Sequence, residues 1–168
     1  SCLCEKPDSV GMVGWDAALT RIPTWVKLQD KKTGQILMVV NTHFDHIGTE
    51  ARRNSALLII EKIKEIVGTS PAILTGDFNV SEDWDAYKTI TNNEFILKDA
   101  HKVAGKRTGV DFTYHNFGKI PAEKCEKIDF IFVTPQIRVI SSYIPFSQLN
   151  DTLFLSDHNP EIVELEIK

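Results

Sequence analysis

A carboxylate and a carboxamide stand two residues apart in Gly76-Asp77-Phe78-Asn79, directly after the apolar run Ala72-Ile73-Leu74. The run reads as a buried strand, and polar groups just past a strand's C-terminal end sit where open α/β sheets bind ligands. Strand side chains repeat every two residues, so Asp77 and Asn79 are expected on one side. Three further segments place polar groups at or inside strands: Asn41-Thr42-His43, Ile128-Asp129-Phe130 and Ser156-Asp157-His158-Asn159-Pro160. Together they suit metal-assisted hydrolysis of a phosphate ester. A hard cation such as Mg²⁺ takes oxygen ligands, which Asp and Asn supply, and it polarises a phosphoryl oxygen. A histidine manages a proton or binds the phosphate, and a carboxylate behind it fixes its tautomer. Asp129 is the candidate for that orienting role toward His158.

Each segment also has a simpler reading. An Asp-x-Asn after a strand is most often a turn whose side chains bond their own backbone. Asp157-His158-Asn159-Pro160 makes a good turn too, with Pro160 opening the last strand. A lone His43 is more often a satisfied surface or core histidine. Asp129 is harder to set aside, because a carboxylate inside an apolar strand needs partners. The joint pattern, four polar clusters at strand ends or inside strands, points to a site more strongly than any member does.

The elements that must position these residues follow from periodicity. Ala18 to Gln29 is expected as a strand interrupted at Pro23, which suggests an edge or a bulge. A polar turn with Gly34 leads into a second strand, Gln35 to Thr42, forming a hairpin. Thr49 is the expected N-cap of a helix over Glu50–Val67, with Ala56, Ile59, Ile60, Ile63 and Val67 as its apolar stripe and Gly68 as its stop. A strand–helix–strand unit results. A short helix is expected over Asp83–Thr91, then strands at Lys127–Thr134, Arg138–Ile144 as its neighbour after Pro135, and Glu161–Ile167. Residues 99–126 carry the least pattern. Hairpins mixed with crossover helices indicate an α/β (α+β) class with a mixed sheet and helices packed on it.

Composition limits the alternatives. The 168 residues suffice for one domain with a core, and no apolar run approaches a membrane span. A net charge of −4 disfavours a broad hold on a nucleic-acid backbone. Three cysteines, Cys2, Cys4 and Cys125, give neither a disulfide framework nor a zinc set. A thiol hydrolase built on Cys125 has no histidine nearby in sequence to support it.

Four motifs in this order and spacing resemble the endonuclease/exonuclease/phosphatase superfamily with the DNase I-like fold. They are Asn41-Thr42-His43-Phe44-Asp45-His46, Thr75-Gly76-Asp77-Phe78-Asn79, Lys127-Ile128-Asp129-Phe130-Ile131-Phe132 and Ser156-Asp157-His158-Asn159-Pro160. The wording Asn-Thr-His-Phe-Asp-His is similar to bacterial members of undefined substrate. The resemblance implies a four-layer α/β/β/α sandwich with mixed sheets, and Mg²⁺ or Mn²⁺ as cofactor. It implies catalytic roles for His43, Asp77, Asn79, Asp129 and His158. Asp77, Asn79 and Asp157 would be associated with the metal, and Arg21, expected in the strand before the hairpin turn, and His115 would contact substrate. The substrate would be a phosphate ester: nucleic acid, phospholipid headgroup or small molecule. No stable protein partner and no transmembrane segment are implied. The family's early asparagine and metal-binding glutamate have no counterpart before Gly14, so the chain is expected to be one N-terminally truncated domain, residues 1–168, resembling the C-terminal two-thirds of such an enzyme. Any export signal would lie upstream of Ser1. Two consequences are expected: exposed apolar sheet surface, and weak metal affinity. The alternative is a binding or scaffold domain that kept the fold without turnover.

Overall fold

The computed structural model describes residues 2–92, 97–150 and 153–167. In chain order the strands are β1 (Pro23–Gln29), β2 (Ile36–His43), β3 (Ala72–Asp77), β4 (Lys98–Asp99), β5 (Lys106–Gly109), β6 (Asp129–Val133), β7 (Ile137–Ile144), β8 (Gln148–Asn150), β9 (Leu153–Phe154) and β10 (Ile162–Ile167). The helices are α1 (Thr49–Val67), α2 (Asp85–Thr91) and the single turn α3 (Ala100–Val103). A five-stranded mixed sheet has the order β1-β2-β3-β6-β4, and a three-stranded sheet the order β10-β7-β5.

The larger sheet explains the sequence pattern on both faces. Met38, Val40, Leu74, Phe130 and Phe132 point to one side, where Ala56, Ile59, Ile60, Ile63 and Val67 of α1 and Ile90 of α2 bury them. On the other side Leu37, Ile73, Ile131 and Val133 meet Ile137, Val139, Val163 and Leu165 of the second sheet. The described residues therefore stack helices, sheet and sheet. The outer face of the second sheet, with Arg138, Ile140, Tyr143 and Glu164, is exposed. No helix among the described residues is long and apolar enough to cross a membrane.

Three local expectations are corrected. The first strand begins at Pro23 rather than continuing through it, because Ala18 and Leu19 give their N–H groups to the Asp45 carboxylate and not to a neighbouring strand. Arg21 therefore precedes the strand, which does occupy the sheet edge. Thr49 is the first residue of α1 and not its cap: Gly48 is the cap, and the Asp16 carboxylate accepts the Glu50 and Ala51 N–H groups from outside the helix. Finally, β7 does not pair with β6. Both edges of β6 are occupied, by β3 and β4, so after Thr134 the chain turns away and β7 pairs with β10 and β5.

Candidate active site

Register assembles the site. In the parallel β2–β3 pair His43 lies opposite Asp77, and in the antiparallel β3–β6 pair Asp77 lies opposite Asp129. Three chemically active side chains thus form one row across three adjacent strands. The alternation that sends Ile73 and Ile131 into the space between the sheets also sends Asp77 and Asp129 there, at its polar end. Each member of the row is followed by an aromatic residue on the opposite face: Phe44, Phe78 and Phe130, all 0–1% exposed. Phe78 packs edge-on against Phe44 at 4.9 Å and Phe130 at 6.0 Å between ring centroids. The row is therefore pinned from beneath by core packing.

The segment after the second sheet's loop supplies the fourth group. His158 Nδ1 lies 2.7 Å from Asp129 Oδ2, so the ring donates there and presents Nε2 toward Asp77. Asp77 Oδ2 lies 3.9 Å from that Nε2 and 3.3 Å from His43 Nε2. Atoms of Asp77, Asp129 and His158 all fall within 4.8 Å of one another. The Tyr114 ring covers His158 at 5.0 Å, and Tyr114 bridges both Glu126 and His158 through its backbone. The buried Thr113 hydroxyl accepts the N–H groups of Ile128 and Asp129 at 3.0 and 3.1 Å, fixing the start of β6.

The electrostatics separate the groups. Burial, with the nearby Asp129 charge second, raises the Asp77 pKa above the ordinary carboxylate value. The hydrogen bond to Asp129 raises that of His158, against the opposing effect of burial. Burial lowers that of His43, although Asp77 pulls the other way. These shifts favour a neutral His43 and a more readily protonated His158, on either side of an Asp77 carboxylate whose affinity for a proton is raised.

Asn79 stands in a different relation to Asp77 from the one expected. It lies beyond the strand at φ +50°, so the two-residue alternation does not reach it. Its backbone N–H donates to Asp77 Oδ1 at 2.8 Å and its Nδ2 donates to the Phe44 carbonyl at 3.0 Å. Asn79 thereby ties the β3 end to the β2 end and fixes the Asp77 rotamer. Asp157 is half-buried and stands outside the three-residue cluster; its carbonyl accepts the His115 and Asn116 N–H groups. Arg21 lies beside His46, with Nη2 3.5 Å from its Nδ1, and its charge contributes, after burial, to lowering the His43 pKa. His115 stands apart from the row, in an aromatic enclosure. It is 1% exposed, stacks among Phe112, Phe146 and Phe154, and accepts the Gly118 N–H on Nδ1.

Several supporting residues escaped the sequence reading. Asp45, 1% exposed, accepts four backbone N–H groups, from Ala18, Leu19, Ile47 and Gly48. The last two bonds make a local turn that the Asp-x-x-Gly spacing could have signalled. Thr113 and Tyr114 lie in the patternless stretch, where nothing local marks them. Lys127 and Glu161 form a buried ion pair at 2.9 Å that only tertiary proximity reveals.

A sequence profile described as the endonuclease/exonuclease/phosphatase family matches residues 6–158. An endonuclease/exonuclease/phosphatase from Bacteroides vulgatus is 63% identical, with a TM-score of 0.94 over 99% of this chain and 63% of that one. A mannosyl-6-phosphatase from Bacteroides thetaiotaomicron is 36% identical, with a TM-score of 0.88 over 99% of this chain and 64% of that one. Protein L388 of Acanthamoeba polyphaga mimivirus is 30% identical over 96% of this chain and 62% of its own length. The chain thus spans somewhat less than two thirds of the proteins it matches.

Proposed function

The chain belongs to the endonuclease/exonuclease/phosphatase family, and from that premise we propose that it carries the catalytic residues of a divalent-metal-dependent phosphoesterase whose substrate is a phosphomonoester of a sugar. The observation that carries the reaction class is the row His43–Asp77–Asp129 with His158 hydrogen-bonded to Asp129. The substrate class rests on the 36% identical mannosyl-6-phosphatase. It is consistent with the net charge of −4, which gives no general attraction for a nucleic-acid backbone.

The residues divide the work by their environments. Asp77, anionic and held by the Asn79 N–H, orients the attacking water and takes its proton. His158, kept in one tautomer by Asp129, offers an N–H from Nε2 to the phosphoryl oxygens as negative charge gathers there. His43, exposed on one side and neutral, binds or exchanges a proton at the edge of the site. The water attacks phosphorus directly as the bond from phosphorus to the sugar oxygen breaks; the departing oxygen takes a proton from solvent and leaves as the sugar hydroxyl, so no covalent enzyme intermediate is required.

The residues present fit a hard cation. Two carboxylates converge at low exposure, and their mutual repulsion is what a divalent ion relieves. Asp77 and the Asn79 side-chain oxygen are the donors beside the row that would hold it, with Asp157, outside the three-residue cluster, as a further oxygen donor, a set suited to Mg²⁺ or Mn²⁺. When bound, the ion supplies Lewis-acid polarisation of the phosphoryl group. A scaffold domain without turnover would have no physical use for paired carboxylates facing two histidines.

The test is a substrate panel on the full-length protein with Mg²⁺, Mn²⁺ or EDTA. EDTA-sensitive release of phosphate from hexose 6-phosphates, faster than cleavage of bis-p-nitrophenyl phosphate, is expected. Preference for the diester would overturn the substrate class.

A further inference from the structure

We propose that the buried Lys127–Glu161 ion pair is a positioning clamp that holds the Asp129–His158 dyad in register. The side chains of Lys127 and Glu161 are 6% and 2% exposed. Burying two charges is costly, and replacing such a pair by apolar residues is often neutral or stabilising, so stability alone is a poor account of it. Its geometry supplies a better one.

Lys127 lies two residues before Asp129, and Glu161 three residues after His158. The Lys127 ammonium donates to the Asp129 main-chain carbonyl at 2.8 Å. It also lies 2.9 Å from Glu161 Oε2, an ion-pair approach whose angle is poor for a hydrogen bond. One cation therefore grips the backbone of one dyad residue and the segment that carries the other. The two segments enter different sheets, β6 in the five-stranded sheet and β10 in the three-stranded one.

Both ends of the clamp are fixed. The Lys127 ammonium sits over the Phe130 ring, 3.9 Å from its centroid. Glu161 Oε1 accepts from Ser142 Oγ at 3.3 Å, and that hydroxyl lies 2.8 Å from His101 Nδ1. Ser142 belongs to β7, so Glu161 is anchored to the second sheet before it reaches across to Lys127. A chain of contacts thus runs from the second sheet through Glu161 and Lys127 to the Asp129 backbone. Without it, the 2.7 Å dyad bond would rely on Tyr114 and Thr113 and on the non-directional apolar packing between the sheets. Misplacement of a catalytic group by about 1 Å costs on the order of 100-fold in rate.

Lys127 and Glu161 are positioning residues, and neither is expected to touch substrate. The kinetic arm of the test rests on the phosphoesterase reading; the spectroscopic arm does not. Two double variants of the full-length protein, Lys127→Met with Glu161→Leu and Lys127→Met with Glu161→Gln, remove the pair without leaving a lone buried charge. Folding is checked by circular dichroism. The Nδ1 proton of His158, expected far downfield because it lies in the 2.7 Å bond to Asp129, is then followed by NMR at one fixed pH. The clamp predicts that a folded variant loses or broadens this resonance. It also predicts that kcat falls about 10- to 100-fold while KM moves less than about threefold. A folded variant with the wild-type resonance and wild-type kcat overturns the proposal. So does failure of both variants to fold, since the pair would then serve stability alone. Wild-type protein inactive on every phosphate ester, with the resonance still lost in the variants, would sink the function and keep the clamp.

Discussion

Asp45→Asn tests the local architecture beneath the site most sharply. The native carboxylate takes two backbone N–H groups on each oxygen, Ile47 and Gly48 on Oδ1 and Ala18 and Leu19 on Oδ2, at 2.7–3.1 Å. An amide in its place turns one oxygen into an NH₂ that faces two donors. Either flip leaves two N–H groups without an acceptor. At about 1–3 kcal/mol for each unsatisfied group, and at the low end for partly buried ones, the cost is about 2–4 kcal/mol. That corresponds to a fall in Tm of roughly 5–15 °C for a chain of this size. The pH dependence gives a second, independent handle. Burial raises the Asp45 pKa, but the four N–H bonds, led by Gly48, outweigh it and hold the carboxyl at about 2. The gap between the ordinary 3.8 and about 2, at about 1.4 kcal/mol per pKa unit, is on the order of 2 kcal/mol. Because the folded pKa is depressed, this contribution is complete above pH 3.8 and is lost as pH falls through about 2. Urea unfolding of wild type and Asp45→Asn at pH 6, 4, 3 and 2 measures both effects. The stability difference should be largest at pH 6 and narrow toward pH 2. A difference below about 1 kcal/mol at pH 6, or one that stays constant down to pH 2, refutes the account of Asp45.

Other substitutions separate packing from chemistry. Gly76→Ala should abolish cooperative unfolding or soluble expression. Gly76 sits at φ +155°, and a Cβ there would overlap the Thr42 carbonyl oxygen of the neighbouring strand; a wild-type Tm would contradict this. Thr113→Val removes the acceptor for the Ile128 and Asp129 N–H groups and should cost about 1–3 kcal/mol by denaturant unfolding. Phe78→Ala, in a ring cluster beneath the His43–Asp77–Asp129 row, should cost about 3–5 kcal/mol by the same measurement. The 168-residue chain alone should bind a hydrophobic dye through its exposed edge, where Ile22, Trp25, Val26 and Leu28 are 47–55% exposed, and absence of dye fluorescence would contradict that reading.

The residues of the row were legible because each sits in a short local pattern at a strand terminus: His43 and Asp77 close β2 and β3, and Asp129 opens β6 among apolar residues. The stripe of α1 was legible for the same reason: helical spacing is a local property. What was not legible is pairing. Arg138–Ile144 reads as a hairpin partner of the preceding strand, yet whether β6 has a free edge depends on Lys98 and Asp99, two residues with no strand signature. His115 follows the Phe112-Thr113-Tyr114 run and looks available to substrate. Only the fold shows it enclosed by aromatics contributed from residues 146 and 154. Lys127 opens one expected strand and Glu161 another, and nothing in either local pattern links them. Their union across two sheets is a tertiary fact. Asn79 shows the reverse case: its residue type was informative, but its link to Asp77 comes from a turn rather than from strand alternation.

On the proposed function, Asp77, set by strand register, and His158, held by Asp129, carry metal-dependent hydrolysis of a phosphate ester. The most direct measurement is phosphate release from hexose 6-phosphates and p-nitrophenyl phosphate by the full-length protein. Wild type, Asp77→Ala and His158→Ala are compared with Mg²⁺, Mn²⁺ and EDTA, with folding confirmed by circular dichroism. The prediction is EDTA-sensitive turnover in wild type that falls at least about 100-fold in each folded variant. Turnover that survives in either folded variant, or that is indifferent to EDTA, would contradict it.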